Sequence, residues 1–561
     1  MAALRKPLSL KALRNKVLST VFGLVWSPSL LFANNEVGAW YDPSDFTTMF
    51  QDSAGTTPVT AVEQPVGLLL DKSKGGRQSL AVTGWAAEGS GDGTVTVVGN
   101  TITITGATTT TRVDLASPGW AVGNYADITV TGSVAGATGS TLFLGGGTAY
   151  STLSGTNTFR NVIASSTLLR LQISTGSATF VVTSRGYVPG NHASQSTAAS
   201  RPVLSARVNL LTYSEQFDNA AWTKDGCNIT QNATTAPDGT LSADLLTGTV
   251  SPFRVRQGIT SVNGVSYTAS LHVQAGTSSN IGIGIINVGG GGTFTFATKL
   301  WSGVSGSVTS TSYQELPNGW FLLKVTFLSN TTGAGVGWYV DGLTTAYIWG
   351  ADLRVTNVGV GLPAYQRVAA ATDYDTSGFP LYLKFDGTDD SLATASIDPG
   401  AVDKAQVFMG LRKIGSGMLL ESSANADTNN GSFYLYTGES GGAELGATLR
   451  GTQATKILGS LATLPVSRVE TVLLDIAGAS RATEIFLRAN GSVVSGTGFG
   501  AADAGTGNFL AYPLYIGRRA GSSFPLNGQV YSMILRFSAA TLSDAQIAST
   551  ETYVNSKTGA Y

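Results

Sequence analysis

Two histidines, His192 and His272, and one cysteine, Cys227, are the chain's whole supply of imidazole and thiol. An acyl-transfer triad of Ser, His and Asp needs one of those imidazoles to take the serine proton. His272 falls in an alternating stretch where a polar-face position is the simpler reading, and His192 falls in a strand flanked by turns. The two stand too far apart in sequence to suggest an imidazole metal cluster. A single thiol excludes an intrachain disulfide and a cysteine-based zinc site. Cys227 reads as a lone thiol beside a turn, and Lys224 nearby is too little to make a thiolate of it.

Glycoside hydrolysis needs two carboxylates a few ångströms apart, one with a raised pKa. No Glu-x-Asp-x-x-Glu arrangement occurs in the chain. The densest acidic group is Asp386, Asp389 and Asp390, whose spacing fits a turn capped by its own side chains. The same three residues are weak calcium candidates, because calcium takes several convergent oxygens. The Gly289 to Gly292 run lacks the Lys-Ser/Thr and the helix of a phosphate loop, so it reads as a loop or bulge. No catalytic residue, resident metal or cofactor is expected, and the chain is expected not to be an enzyme. Sugar binding remains, since it uses aromatic faces and amide or carboxylate hydrogen bonds. Trp222, Trp320 and Trp349 are expected in the core. Trp301, ahead of Ser302-Gly303-Val304-Ser305-Gly306, and Tyr434 with Tyr436, alternate on one strand face, are the candidate carbohydrate contacts.

The elements that must position such residues are strands. The chain has 561 residues, 70 of them Gly, with 34 Lys and Arg against 35 Asp and Glu. A net charge of −1 gives no electrostatic footprint for nucleic acid. With 42% hydrophobic and 9% aromatic residues it does not read as disordered. Short Val/Ile/Thr/Phe/Tyr runs between Gly, Ser and Asn predict an all-β chain of several β-sandwich or jelly-roll domains, with short helical segments at the two ends.

Residues 1–34 are basic and then apolar, with Arg5, Lys6, Lys11, Arg14 and Lys16 ahead of the stretch from Val17 to Trp26. They read either as a secretory signal ending near Ala33 or as a retained amphipathic anchor, with Val17, Val21 and Leu24 on one helical face. Residues 36–78 are too few to bury a core alone. Residues 79–189 carry eight charges: Glu88, Asp92, Arg112, Asp114, Asp127, Arg160, Arg170 and Arg185. There Thr94 to Val98 and Thr101 to Thr105 flank Gly99-Asn100, a hairpin signal. A further segment, with strands expected at 265–273, 280–288, 320–328 and 347–355, repeats the order of the previous one loosely enough to suggest a duplicated jelly-roll unit. In the last segment strands are expected at 406–412, 469–476, 484–488, 514–517 and 528–537. Ser543 and Gln546 there predict the capping box of a terminal helix that ends at Lys557 and Gly559.

The last segment resembles the concanavalin-like, laminin-G-type lectin sandwich of phage tail and adhesion proteins. Phe385-Asp386-Gly387 with Asp389-Asp390, Ala489-Asn490-Gly491, Phe524-Pro525-Leu526-Asn527-Gly528 and Leu542 to Ile547 carry the likeness. Trp40 to Asp45, Asp71-Lys72-Ser73, Asn191 to Gln195 and Arg201-Pro202 resemble the opening parts of the same unit. The resemblance implies a discontinuous sandwich assembled from 36–78, 190–206 and 376–561, with β-domains inserted at 79–189 and 207–375. The second insertion resembles jelly-roll carbohydrate-binding modules through Asn209-Leu210-Leu211, Phe217, Trp222, Pro237-Asp238-Gly239, Val265-Ser266-Tyr267, Asn318-Gly319-Trp320 and Tyr347 to Leu353. Together these likenesses imply a non-enzymatic virion protein of a phage tail that binds bacterial surface polysaccharide. Its expected partners are other virion proteins and further copies of itself, and not nucleic acid. The alternatives are a purely structural virion protein, a secreted or cell-surface adhesin, and a polysaccharide depolymerase.

Overall fold

The computed structural model describes residues 26–145, 148–151, 153–438, 445–459 and 464–561. The basic and apolar run up to residue 25 lies outside them. Apart from short helices, these residues form antiparallel sheets joined by tight turns. Alternation is the cause. In the Thr94–Val98 and Thr101–Ala107 hairpin, Ile102 and Ile104 are buried while Thr101 and Thr103 face outward. Gly99 turns the chain at φ 62°, a conformation that favours glycine. Threonines then pair across strands, as in Thr129–Thr158 and Thr131–Thr156 at 2.8 Å, which fits the sheet while adding no charge.

Two large sheets draw on distant parts of the chain. The first, of eight strands, runs Val203–Ser205, Tyr382–Asp386, Asn527–Ser538, Lys404–Lys413, Val466–Asp475, Ile485–Ala489 and Ser492–Val493, with Val37–Tyr41 also on Asn527–Ser538. The second, of ten, starts with Met49–Phe50, Leu68–Leu69 and Ala193–Ser194 and continues through Leu392–Ile397 to Gly496–Gly500. Their facing side chains, among them Tyr41, Leu69, Leu204, Leu420, Phe433 and Leu535, make one core. Asp475 and Ile485 are joined through a single helical turn, Arg481–Glu484, so Glu484 is helical and not part of the expected strand. Residues 78–188 form five- and six-stranded sheets over a separate core, and residues 223–355 form two six-stranded sheets over a third.

The helix Asp544–Thr558 has the expected capping box of Ser543 and Gln546, and Gly559 closes it at φ 61°. It buries Ile547 and Val554 with Leu31, Phe32 and Trp40 on the eight-stranded sheet. No described helix is long and apolar enough to cross a membrane. Where residues 207–375 leave and rejoin the large sheets, the fully buried Gln366 uses all of its side-chain capacity. Its Oε1 accepts from the amides of Val208 at 2.7 Å and Asn209 at 3.0 Å. Its Nε2 donates to the carbonyls of Ala206 at 2.9 Å and Asp375 at 2.8 Å.

Candidate functional site

The six-stranded sheet ordered Thr223–Asp225, Arg254–Gly258, Gly335–Val340, Asn280–Ile286, Gly290–Thr295 and Leu300–Gly306 turns one face to its core and one away. Ile281, Ile283, Ile285, Val336, Trp338 and Val340 point inward. Strand side chains alternate, so the intervening residues form the outer face. Registered across the strands, one outer row reads Asp225, Arg254, Tyr339, Gly282, Thr293, Ser302. The next reads Thr223, Arg256, Gly337, Gly284, Gly291, Ser305. Glycines therefore floor the middle of the sheet while side chains rise on both flanks, which makes a trough.

Tyr339 lies flat on that floor. A Cβ at Gly282 would sit 2.0 Å from the tyrosine Cζ, so only glycine leaves room for the ring there. The Tyr339 hydroxyl reaches the Thr293 hydroxyl at 3.2 Å, which fixes the ring across the strands. Its remaining surface lines a cavity of about 410 Å³ together with Phe253, Asn280, Thr293 and Asp341. An open aromatic face ringed by amide, hydroxyl and carboxylate groups is suited to a polyhydroxylated ring. Asp225 is held by Arg254 at 2.9 Å and Arg256 at 2.6 Å, and these hydrogen bonds keep its carboxyl below the usual range. That leaves Asp341 as the exposed carboxylate at the cavity.

The residues singled out in the sequence sit elsewhere. Trp301 belongs to the edge strand Leu300–Gly306, and the following Ser-Gly run is strand and not loop. It pairs with Phe294, so its ring turns inward and packs 5.6 Å from the Phe294 ring. Tyr434 and Tyr436 do share the face of their strand away from the main core, with ring centroids 5.5 Å apart. They are only 9% and 2% exposed, so they do not form a half-open platform. The Arg519 guanidinium lies 5.1 Å over Tyr434 and the Lys456 ammonium 5.0 Å over Tyr436. Trp222, Trp320 and Trp349 are buried. Gly290 to Gly292 lie in a strand, with a register shift between Gly291 and Thr293.

Asp386, Asp389 and Asp390 do converge, with a carboxylate oxygen of each within 4.8 Å of the others. Asp386 accepts from the Thr388 amide at 2.7 Å, Asp389 from the Ser200 hydroxyl at 2.7 Å, and Asp390 from the Asp386 amide at 3.0 Å. Burial, reinforced by the Asp386 charge, pushes Asp390 up to about 7. Asp386 and Asp390 cap their own turn, as the spacing suggests, while Asp389 reaches out to Ser200.

Both histidines are buried, His272 against expectation. His272 packs between Trp349 and Tyr365, with centroids at 5.1 and 5.9 Å. His192 accepts from the Asp71 amide at Nδ1 and donates from Nε2 to the Val188 carbonyl, both at 3.0 Å. Desolvation drops it to about 4 and holds it neutral. Cys227 donates to the Arg254 carbonyl at 3.0 Å, and burial pushes its thiol up to about 11.

Sequence reasoning missed Tyr339 and its floor. The signal was the alternate-glycine pattern Gly282-Ile283-Gly284 and Gly335-Val336-Gly337, two strands that each set two successive glycines on one face.

No family model matches the chain, and no curated protein does. Solved structures that resemble it include the carbohydrate-binding module CBM40 of the Ruminococcus gnavus IT-sialidase bound to α2,3-sialyllactose. That match has 18% identity over 30% of this chain and 95% of that one, with a TM-score of 0.22. A SAP-like pentraxin of Limulus polyphemus matches at 16% identity over 30% and 80%, with a TM-score of 0.23. The tandem CBM22 domains of Paenibacillus barcinonensis Xyn10C match at 11% over 53% and 100%, with a TM-score of 0.22. Likenesses this low have no weight for ligand or activity. The class defined by the fold itself is an all-β protein of several β-sandwiches.

Proposed function

We propose that this chain is a non-enzymatic carbohydrate-binding protein whose ligand lies in the glycine-floored trough, stacked on Tyr339. The carrying observation is the tyrosine ring laid on Gly282, with Asn280, Thr293 and Asp341 around its open side. Stacking and neutral hydrogen bonds bind a sugar without a charge cluster or a metal. A binder is favoured over a depolymerase because hydrolysis takes two working carboxylates. At the trough Asp225 is neutralised by two arginines, which leaves Asp341 as the free carboxylate among the described residues lining the cavity. In the finer reading the glycan is bacterial surface polysaccharide and the protein serves in a phage tail, alongside other virion proteins and further copies of itself. The motif resemblances of residues 36–78, 190–206 and 376–561 support that setting.

A glycan array probed with the intact chain tests the binding function. Retention of a defined saccharide is expected, and an array with no bound saccharide contradicts it. Reducing-end release from a bound polysaccharide would overturn the non-enzymatic part. Presence of the protein in purified phage particles tests the setting, and its recovery only from host culture medium contradicts it.

A further inference from the structure

A cavity of about 580 Å³ lies where residues 40–77 meet the strands Gly155–Val162, Tyr125–Ser133 and Gly176–Val188 of one six-stranded sheet. Its walls include Phe46, Phe50, Tyr125 and Tyr187, and its polar lining includes Asp45, Lys72, Arg77, Asp127 and Arg160. The size suits a ligand of a few sugar units. The aromatic walls are held in place. The Tyr125 hydroxyl donates to the Gly55 carbonyl at 2.9 Å, the Phe50 and Tyr125 rings meet at 4.9 Å, and the Tyr187 hydroxyl reaches Gln78 at 2.7 Å.

The charges pair unevenly. Lys72 is bound to Asp45 at 2.7 Å. Arg77 takes both oxygens of Asp127, Nε to Oδ2 and Nη2 to Oδ1, each at 2.7 Å. Gly186 makes this possible, since a Cβ there would stand 2.6 Å from the Arg77 Cζ. Arg160 is the direct cross-strand partner of Asp127, yet that carboxylate is already occupied by Arg77. Asp52, the other carboxylate near Tyr125, accepts from the amides of Thr56 at 3.0 Å and Thr57 at 2.7 Å. Among the described residues of the cleft, the half-buried Arg160 guanidinium is therefore left with neither an ion pair nor a hydrogen bond.

We infer that this cleft is a second binding site, distinct from the trough, and that it takes an acidic saccharide whose carboxylate pairs with Arg160. A guanidinium fork matches a planar carboxylate in two parallel hydrogen bonds. The sugar rings would lie against Phe46 and Tyr187, with Asp127 held clear of the ligand by Arg77.

The test is calorimetric titration of the intact chain with uronic acid oligosaccharides (galacturonate, glucuronate and mannuronate trimers) and with their neutral methyl esters. Acidic members are expected to bind and their esters to bind more weakly. Replacing Arg160 with Gln is expected to weaken the acidic ligand by about tenfold or more, with Arg160→Lys intermediate because it keeps the charge and loses the fork. The side chain has no partner to lose, so both variants should melt at the wild-type temperature. Binding of no acidic trimer, equal binding of the esters, or unchanged affinity in Arg160→Gln overturns the inference. The trough is read out on neutral saccharides, so either site can fail while the other stands.

Discussion

Removing the Tyr339 ring probes the trough with the least damage to the fold. The ring lies on the outer face of its sheet, away from the core of Trp338 and Val340. An aromatic side chain can bury about 150–250 Å² in all, so one face offers roughly 100 Å² to a stacked sugar. At about 25 cal/mol per Å² that area contributes about 2.5 kcal/mol. Tyr339→Ala should therefore raise the Kd of the array-selected neutral saccharide by roughly 70-fold, with little change in melting temperature. Gly282→Ala is a second route to the same end. The new methyl would occupy the position 2.0 Å from the Tyr339 Cζ, so the ring must lift off the floor and lose its hold on Thr293. Calorimetry on the intact chain and the two variants checks both. Affinities within twofold of wild type in both variants, with the fold intact, would refute stacking on Tyr339.

Three further outcomes follow from buried groups. Gln366→Leu leaves two amides and two carbonyls unpaired where residues 207–375 join the large sheets. It should cost about 3–5 kcal/mol in denaturant unfolding, and a loss under 1 kcal/mol would contradict the network. His192 stands at about 4 in the fold against an ordinary value of 6.5. The unfolded chain thus binds the proton first, so this stability is complete above pH 6.5 and is lost as pH falls to 4. The loss is about 3 kcal/mol relative to a His192→Gln variant, and parallel pH profiles of the two proteins would contradict it. Cys227, with its thiol raised to about 11 and donating to Arg254, should resist a thiol reagent at neutral pH until the chain is unfolded. Rapid labelling of the native protein would show otherwise.

Local chemistry was readable in the sequence wherever neighbouring residues decide it. The Gly99-Asn100 hairpin, the Ser543 and Gln546 capping box and the Gly559 cap formed as expected because each depends on a few adjacent residues. Burial of Trp222, Trp320 and Trp349 followed equally from residue type and position. The trough was not readable, because its floor exists only once Asn280–Ile286 pairs with Gly335–Val340 in a register that sets Gly284 opposite Gly337. Glycine in a strand says that something approaches closely, but not what. Tyr434 and Tyr436 share a face as alternation requires. What covers that face comes from Arg519 and Lys456, distant in sequence, and periodicity contains no trace of it. The loop expected after Trp301 did not form for a related reason: a Ser-Gly run that looks like a loop can still form an edge strand when a paired neighbour supplies its hydrogen bonds.

A crystal structure of the intact chain soaked with the neutral saccharide selected on the array tests the central claim most directly. The account predicts a sugar ring parallel to Tyr339, over Gly282 and within hydrogen-bonding reach of Asn280, Thr293 or Asp341. A saccharide bound elsewhere while the trough stays empty would contradict it.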